Sequence, residues 1–281
     1  MNYQWYPGHM TKAKRQMQED IKLIDLIIEV VDARIPLSSR NPDIDELGRN
    51  KARMVLLNKS DLADSQINKK WVDYFKEKGI HTLEVNSKSG AGLKAIQGTV
   101  ALACKEKIER DRKRGIVNRP VRAMVVGIPN VGKSTFINSF AGKACAKTGN
   151  KPGVTKGKQW IKLNKGLELL DTPGILWPRF EDQATGMRLA FIGSINDEIL
   201  VMEELATDFI AYLAGIYPDI ICKHYGIAED TPADYHMLEE IAKVRKCLVA
   251  GGDPDIGKAA RMLMDDYRSG RLGKITLERP E

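Results

Sequence analysis

Gly127-Ile128-Pro129-Asn130-Val131-Gly132-Lys133-Ser134 reads as G-x-x-x-x-G-K-S, set between an apolar run ending at Val126 and a helix-forming stretch from Lys133 to Phe140. Strand, glycine loop, then helix is the context a phosphate-binding loop requires. The backbone N–H groups of Asn130, Val131 and Gly132 can wrap phosphate oxygens, and the helix N-terminus adds partial positive charge. Lys133 is placed to reach the β- and γ-phosphates. Ser134 is placed to ligate magnesium, and the Thr135 hydroxyl and N–H to face the α-phosphate.

A second motif decides which nucleotide. Asn58-Lys59-Ser60-Asp61, N-K-x-D, follows the apolar run Met54-Val-Leu-Leu57. Asp61 can accept hydrogen bonds from the N1–H and 2-amino group of guanine. Adenine offers no such donor pair and would leave the carboxylate unpaired. Asn58 can bond the base N7 and tie down the glycine loop, while the Lys59 stem can lie over the ring. Asn86-Ser87-Lys88 follows a third strand, Ile80 to Val85, and brings the Ser87 N–H, with Asn86 beside it, to the guanine O6. Asp171-Thr-Pro-Gly174 ends a hairpin formed by Trp160–Leu163 and Leu167–Leu170. There Asp171 would hold magnesium through water, and the Gly174 N–H would meet the γ-phosphate. Thr155, in Pro152-Gly-Val-Thr155, offers magnesium a second hydroxyl in the first switch. Together these residues predict a site for GTP/GDP and Mg2+, with Lys133 and Thr155 acting in the chemical step.

The order is rotated, because the base motif precedes the glycine loop. Strands alternating with helices predict a mostly parallel sheet with helices on both faces. One long helix is expected over Leu93–Arg114, and a basic surface helix over Met10–Lys22. After Pro178 the pattern becomes helical, with segments at Ile199–Ile216, Asp234–Leu248 and Asp255–Tyr267. Charge divides at the same place: Met1–Pro178 holds 32 basic and 18 acidic residues, Arg179–Glu281 holds 12 and 19. The expectation is therefore an α/β domain over 1–178, N-terminal helix included, and an all-α domain over 179–281. Four separated cysteines without a C-x-x-C pair argue against zinc and for reduced thiols. No signal-like or membrane-spanning run is read, so a cytoplasmic protein with no membrane partner is expected.

These motifs in this order resemble the circularly permuted GTPases of the YlqF/RbgA type, a bacterial ribosome-assembly family. The resemblance also takes in Pro7-Gly-His9-Met10, Asp32-Ala-Arg34-Ile-Pro36 and the helical C-terminal domain. It implies a P-loop GTPase domain of permuted topology that hydrolyses GTP to GDP and phosphate. The resemblance further implies that this reaction is coupled to late assembly of the large ribosomal subunit, with the subunit precursor and rRNA as partners and ribosomal proteins as candidate ones. Many GTPases orient the attacking water with Gln after D-x-x-G; here Ile175 and Leu176 follow instead. Slow turnover alone and stimulation by the particle are the consequence. His9, in its Pro-Gly turn, is the candidate to orient that water, with RNA contact or packing as its other roles. In related GTPases the residue at Asn130 helps hold K+ between the phosphates, and the same is expected here. Asp171–Gly174 leads within a few residues into the C-terminal domain, so the γ-phosphate sensor could drive that domain as a short lever.

Three basic runs suit an RNA backbone, although each could also be a solvated face. One is Lys143–Lys165, which contains no acid; one is Lys105–Arg122; the third is Lys12, Lys14 and Arg15. Lys243-Val-Arg-Lys246 adds a local basic face to the acidic C-terminal domain, for rRNA or a ribosomal protein. Two competing functions are a regulatory GTPase acting on another RNA or protein, and a nucleotide-dependent scaffold with negligible hydrolysis.

Overall fold

Leu26-Ile-Ile-Glu-Val-Val-Asp32 forms strand β1, and all seven of its residues are buried. A strand covered on both faces is the mark of a parallel sheet wrapped by helices, which explains why five of its seven residues are apolar. Glu29 is the one charge between Leu26 and Val31, and Arg40 Nε (2.9 Å) and Arg53 Nη2 (3.2 Å) meet its carboxylate. The computed structural model describes residues 9–117, 119–142, 159–164, 166–172 and 182–280; for residues 9–14, 159 and 164 it describes the backbone alone.

In chain order the first part runs α1 (His9–Asp20), β1, α2 (Asp43–Leu47), β2 (Ala52–Asn58), α3 (Ser65–Glu77) and β3 (His81–Glu84). Then follow α4 (Ile96–Ala103), α5 (Lys105–Lys113), β4 (Val121–Val126), α6 (Lys133–Ala141), β5 (Gln159–Asn164) and β6 (Leu167–Asp171). The sheet order is β3-β2-β1-β4-β6-β5. Every pairing is parallel except that of β5 with β6. The chain fills one side of the sheet with β1 to β3 and then crosses to the other with β4. The crevice between β1 and β4, outside the strands' C-terminal ends, is where a doubly wound sheet binds ligands. Asp64 caps α3 by accepting from the Gln66 and Ile67 N–H groups. That helix packs Ile67, Trp71 and Phe75 on Val31, Val55 and Leu57.

The single helix expected over Leu93–Arg114 is instead a 3-10 turn, Leu93–Ala95, followed by α4 and α5. Cys104 sits between the two helices at φ −103° and ψ 16°. The bonds Cys104 N–Val100 O (3.0 Å) and Ile108 N–Cys104 O (2.9 Å) carry through, so residue 104 is a kink rather than a break.

Residues 182–277 form a second compact unit: α7 (Gln183–Phe191), α8 (Met202–Ile216), α9 (Ile220–Tyr225), α10 (Tyr235–Val244) and α11 (Ile256–Ser269). Sequence periodicity did not find α7, which contains Gly186, or α9, which has only six residues. Phe209 centres the unit's aromatic cluster, 5.0 Å from Phe191 and 4.6 Å from Tyr267 between ring centroids. Buried Asp266 accepts from Tyr225 OH (2.7 Å) and Arg271 Nε (2.6 Å). The expected helical span 179–281 requires one correction: from Glu278 onward the chain belongs with the first unit, because the Glu278 carboxylate binds the loop after β1. No helix among the described residues is long and apolar enough to cross a membrane.

Phe209→Ala should lower the stability of the helical unit by about 3–5 kcal/mol. Urea denaturation of the intact chain followed by far-UV circular dichroism measures this; a loss below about 1 kcal/mol would mean the cluster is not the packing centre.

Candidate functional site

Because β1, β2, β3, β4 and β6 run parallel, their C-terminal ends lie along one edge of the sheet, and every motif read from the sequence that falls on described residues leaves from that edge. Gly127 follows β4 with no room for a side chain: a Cβ would come within 2.6 Å of the Val30 carbonyl oxygen. Asn130 and Gly132 both adopt left-handed backbone, at φ 64° and 93°. A Cβ on Gly132 would run into the Asn58 side-chain nitrogen. The loop is thus a close-packed cradle of bare backbone ending at the first turn of α6, where Lys133, Ser134 and Thr135 stand. Such a cradle fits the phosphates of a nucleotide.

Asn58 ties three loops together. Its Nδ2 donates to the Val131 carbonyl (2.7 Å), and its Oδ1 accepts from the Ser87 N–H (3.1 Å) and the Ser87 hydroxyl (2.7 Å). The Ser87 N–H assigned to the base therefore serves the Asn58 amide here. Ser139 of α6 closes the ring by donating from its hydroxyl to the Ser87 carbonyl (2.5 Å). Asn86 shapes the same loop, its Oδ1 accepting from the Lys88 (2.9 Å) and Ser89 (3.0 Å) N–H groups. Asp61 stands exposed in a 3-10 turn, Ser60–Leu62, beside this assembly.

Lys59 is held at φ 57°, and its ammonium bridges the Asn130 carbonyl (2.7 Å) and Asp32 Oδ2 (2.9 Å). Asp32 is fully buried and bidentate to Arg34, with both N–O distances at 2.8 Å. Burial pushes the Asp32 carboxyl upward, but the Arg34 guanidinium and Lys59 ammonium outweigh it and hold the group well below the ordinary carboxylate range. The sequence marked Asp32 and Arg34 only through family resemblance. The available signal was an acid and a base two residues apart at the end of a mostly apolar strand, which is where a buried charge must find a partner.

Lys133 and Asp171 face each other at 3.5 Å, and the Lys133 ammonium also donates to the Thr172 carbonyl. Burial lowers the affinity of Lys133 for its proton and raises that of Asp171, and their mutual attraction opposes both shifts. The Thr172 hydroxyl anchors the end of β6 to Val125 of β4 (2.8 Å). Ser134 and Asp171 are brought to one edge and suit a magnesium ion, which takes few protein ligands when phosphates supply the rest. Among the described residues no group of three or more His, Cys, Asp or Glu could hold a metal by itself. Thr155, Gly174, Ile175 and Leu176 lie outside the described residues. His9 begins α1, and its side chain is also outside them.

Of the basic runs, α5 and the residue after it expose Arg110, Arg112, Lys113 and Arg114. Lys107 is committed to Asp25 and Asp111, each at 3.3 Å, and Arg122 to Glu168 at 3.2 Å. In the helical unit Lys243 pairs with Glu240 (2.7 Å), and Arg245 lies over the Tyr225 ring at 5.0 Å. Most of Lys143–Lys165 falls outside the described residues.

This chain is similar to known proteins. The family described as 50S ribosome-binding GTPase matches residues 122–232. A ribosome biogenesis GTPase A of Bacillus cereus is 48% identical over 281 residues, spanning 100% of this chain and 95% of its own. A mitochondrial ribosome-associated GTPase 1 of Mus musculus is 36% identical, spanning 98% of this chain and 90% of its own. Among solved structures, GNP-bound YlqF from T. maritima superposes with a TM-score of 0.68 at 29% identity, covering 96% of this chain and 99% of that one.

Asp32→Asn should cost about 3–5 kcal/mol at pH 7, since it strips a buried ion pair of its anion. Because the folded carboxyl titrates below its unfolded value of about 3.9, its stabilisation is complete above about pH 5 and declines as pH falls below about 4. The gap between the original and substituted proteins in urea titrations should therefore narrow from pH 5 to pH 2.5. A constant gap would contradict the assignment.

Proposed function

Because this chain belongs to the ribosome biogenesis GTPase A family, whose members are GTP hydrolases, we propose that it couples GTP hydrolysis to late assembly of the large ribosomal subunit, slowly alone and faster on the subunit precursor. The observation that carries the nucleotide reading is the double grip of Asn58 on Val131 and Ser87, which fixes phosphate loop and base loops as one receptor. Asp61 reads guanine, with Asn58, Lys59, Asn86 and Ser87 shaping the base pocket. Asn130, Val131, Gly132, Lys133 and Thr135 cradle the phosphates, and the Gly174 N–H senses the last of them. Ser134, Thr155 and, through water, Asp171 hold magnesium, while Asn130 helps hold potassium. Lys133 and Thr155 stabilise charge as the phosphoryl group transfers. His9 orients the water, since Ile175 and Leu176 carry no polar group to do so.

The exposed arginines and lysine of residues 110–114 supply point charges for an rRNA backbone. A large-subunit precursor, with its rRNA and proteins, is therefore the partner, and the compartment is the cytoplasm. A nucleotide-dependent scaffold, or a regulatory GTPase with another partner, is the second reading, and Ile175 is the residue that favours the scaffold.

GTP turnover with and without purified large subunits, in potassium and then sodium buffer, separates these readings. We expect strong stimulation by the particle in potassium, its loss in His9→Ala, and slower turnover in sodium. No stimulation would favour the scaffold, and full stimulation of His9→Ala would remove that residue from the mechanism. In a second assay, Asp61→Asn should exchange the guanine preference for xanthine by about 100-fold or more, because the amide can donate to the xanthine 2-oxo group. Competition between GTP and XTP for the bound fluorescent nucleotide measures it; unchanged guanine preference would show that Asp61 does not read the base.

A further inference from the structure

We propose that Glu278, at the C-terminal end of the chain, is a positioning residue for the nucleotide site: it braces the loop after β1 and, through it, the Asp32–Lys59 contact under the phosphate loop. The inference rests on the guanine-nucleotide site proposed above.

Glu278 is only 7% exposed, and a carboxylate so buried must be bonded. It accepts from the Leu37 N–H (2.7 Å), from the Ser38 N–H (3.0 and 3.1 Å to its two oxygens) and from the Ser38 hydroxyl. Its own carbonyl accepts from Trp71 Nε1 (3.2 Å), which fixes the tail to α3. Charge-assisted bonds to consecutive backbone N–H groups are stronger than neutral ones, and removing the carboxylate strands those donors.

The braced loop continues inward. Ser39 N and Oγ both donate to the Ile35 carbonyl (3.0 and 2.7 Å), and Ser39 Oγ accepts from the Asp32 N–H (3.0 Å). Asp32 holds the Lys59 ammonium, which holds the Asn130 carbonyl of the phosphate loop. A continuous run of hydrogen bonds and one turn of chain thus connects Glu278 to the residue that wraps the phosphates. Leu277, one residue earlier, belongs to the helical unit, where its carbonyl accepts from the Tyr212 hydroxyl (2.8 Å). The helical unit therefore has a second covalent route to the nucleotide site, besides the segment that follows Asp171. A partner that displaces that unit would pull directly on the Glu278 seat and loosen bound nucleotide.

The test is release of mant-GDP from the full-length protein, followed by stopped-flow fluorescence, for Glu278→Ala, Ser39→Ala and the double variant. Each single change should speed release by about tenfold, and the double should be no faster than the faster single, because both cut the same route. Thermal melting of each variant establishes that it is folded at the assay temperature; a chain ending at Leu277 should repeat the Glu278→Ala rate. Unchanged release in Glu278→Ala, or accelerations that multiply in the double variant, would overturn the proposal. Failure of the unaltered chain to hold mant-GDP would overturn the nucleotide site itself; retention with rates indifferent to Glu278 overturns only this inference.

Discussion

A fully buried carboxylate at the end of the central strand organises the nucleotide edge of this protein. Asp32 has no access to water and no neutral alternative near physiological pH, so its charge must be met by cations held in fixed places. Arg34 meets it with both arms of a planar guanidinium, the geometry suited to a carboxylate. Lys59 meets it with a point charge that is shared with the phosphate loop. Lys59 is thereby fixed from below, and with it the spacing between its own loop and the glycine loop. An ion pair of this kind adds little net stability over an apolar replacement, but it allows few alternative arrangements.

Parallel strands make that economy possible. Among the described residues, the loops after β1, β2, β3, β4 and β6 emerge at one edge because their strands point the same way, and the crossing between β1 and β4 opens a crevice there. Rotating the order of motifs along the chain leaves this edge intact, since the sheet depends on which strands pair and not on which comes first. What the rotation changes is the order along the chain: the helical unit follows Asp171 in sequence. Lys133 and Asp171 are both buried, and burial pushes each toward neutrality.

The helical unit is an insertion in the chain of the first unit, which resumes at Glu278. The last described strand before it, β6, ends in Asp171, and the first residue after it, Glu278, places its carboxylate on the loop after β1.

The sequence by itself determined the class of chemistry, the permuted order and the existence of a helical second unit. Phosphate loops, base motifs and buried strands are local patterns whose physics needs only a few neighbouring residues, as Gly127–Ser134, Asn58–Asp61 and Leu26–Asp32 show. The kink at Cys104 was beyond such patterns, because the helical hydrogen bonds continue through it. So were α9, too short for a periodic signal, and the return of Glu278 to the first unit. Only the tertiary structure decided that Asn58 grips Val131 and Ser87, that Lys59 stands on Asp32, and that a glutamate near the last residue braces a loop near the first strand. Those contacts join residues far apart in the chain. Their partners are chosen by burial and by the demand of each desolvated polar group for a bond, and no local pattern carries that information.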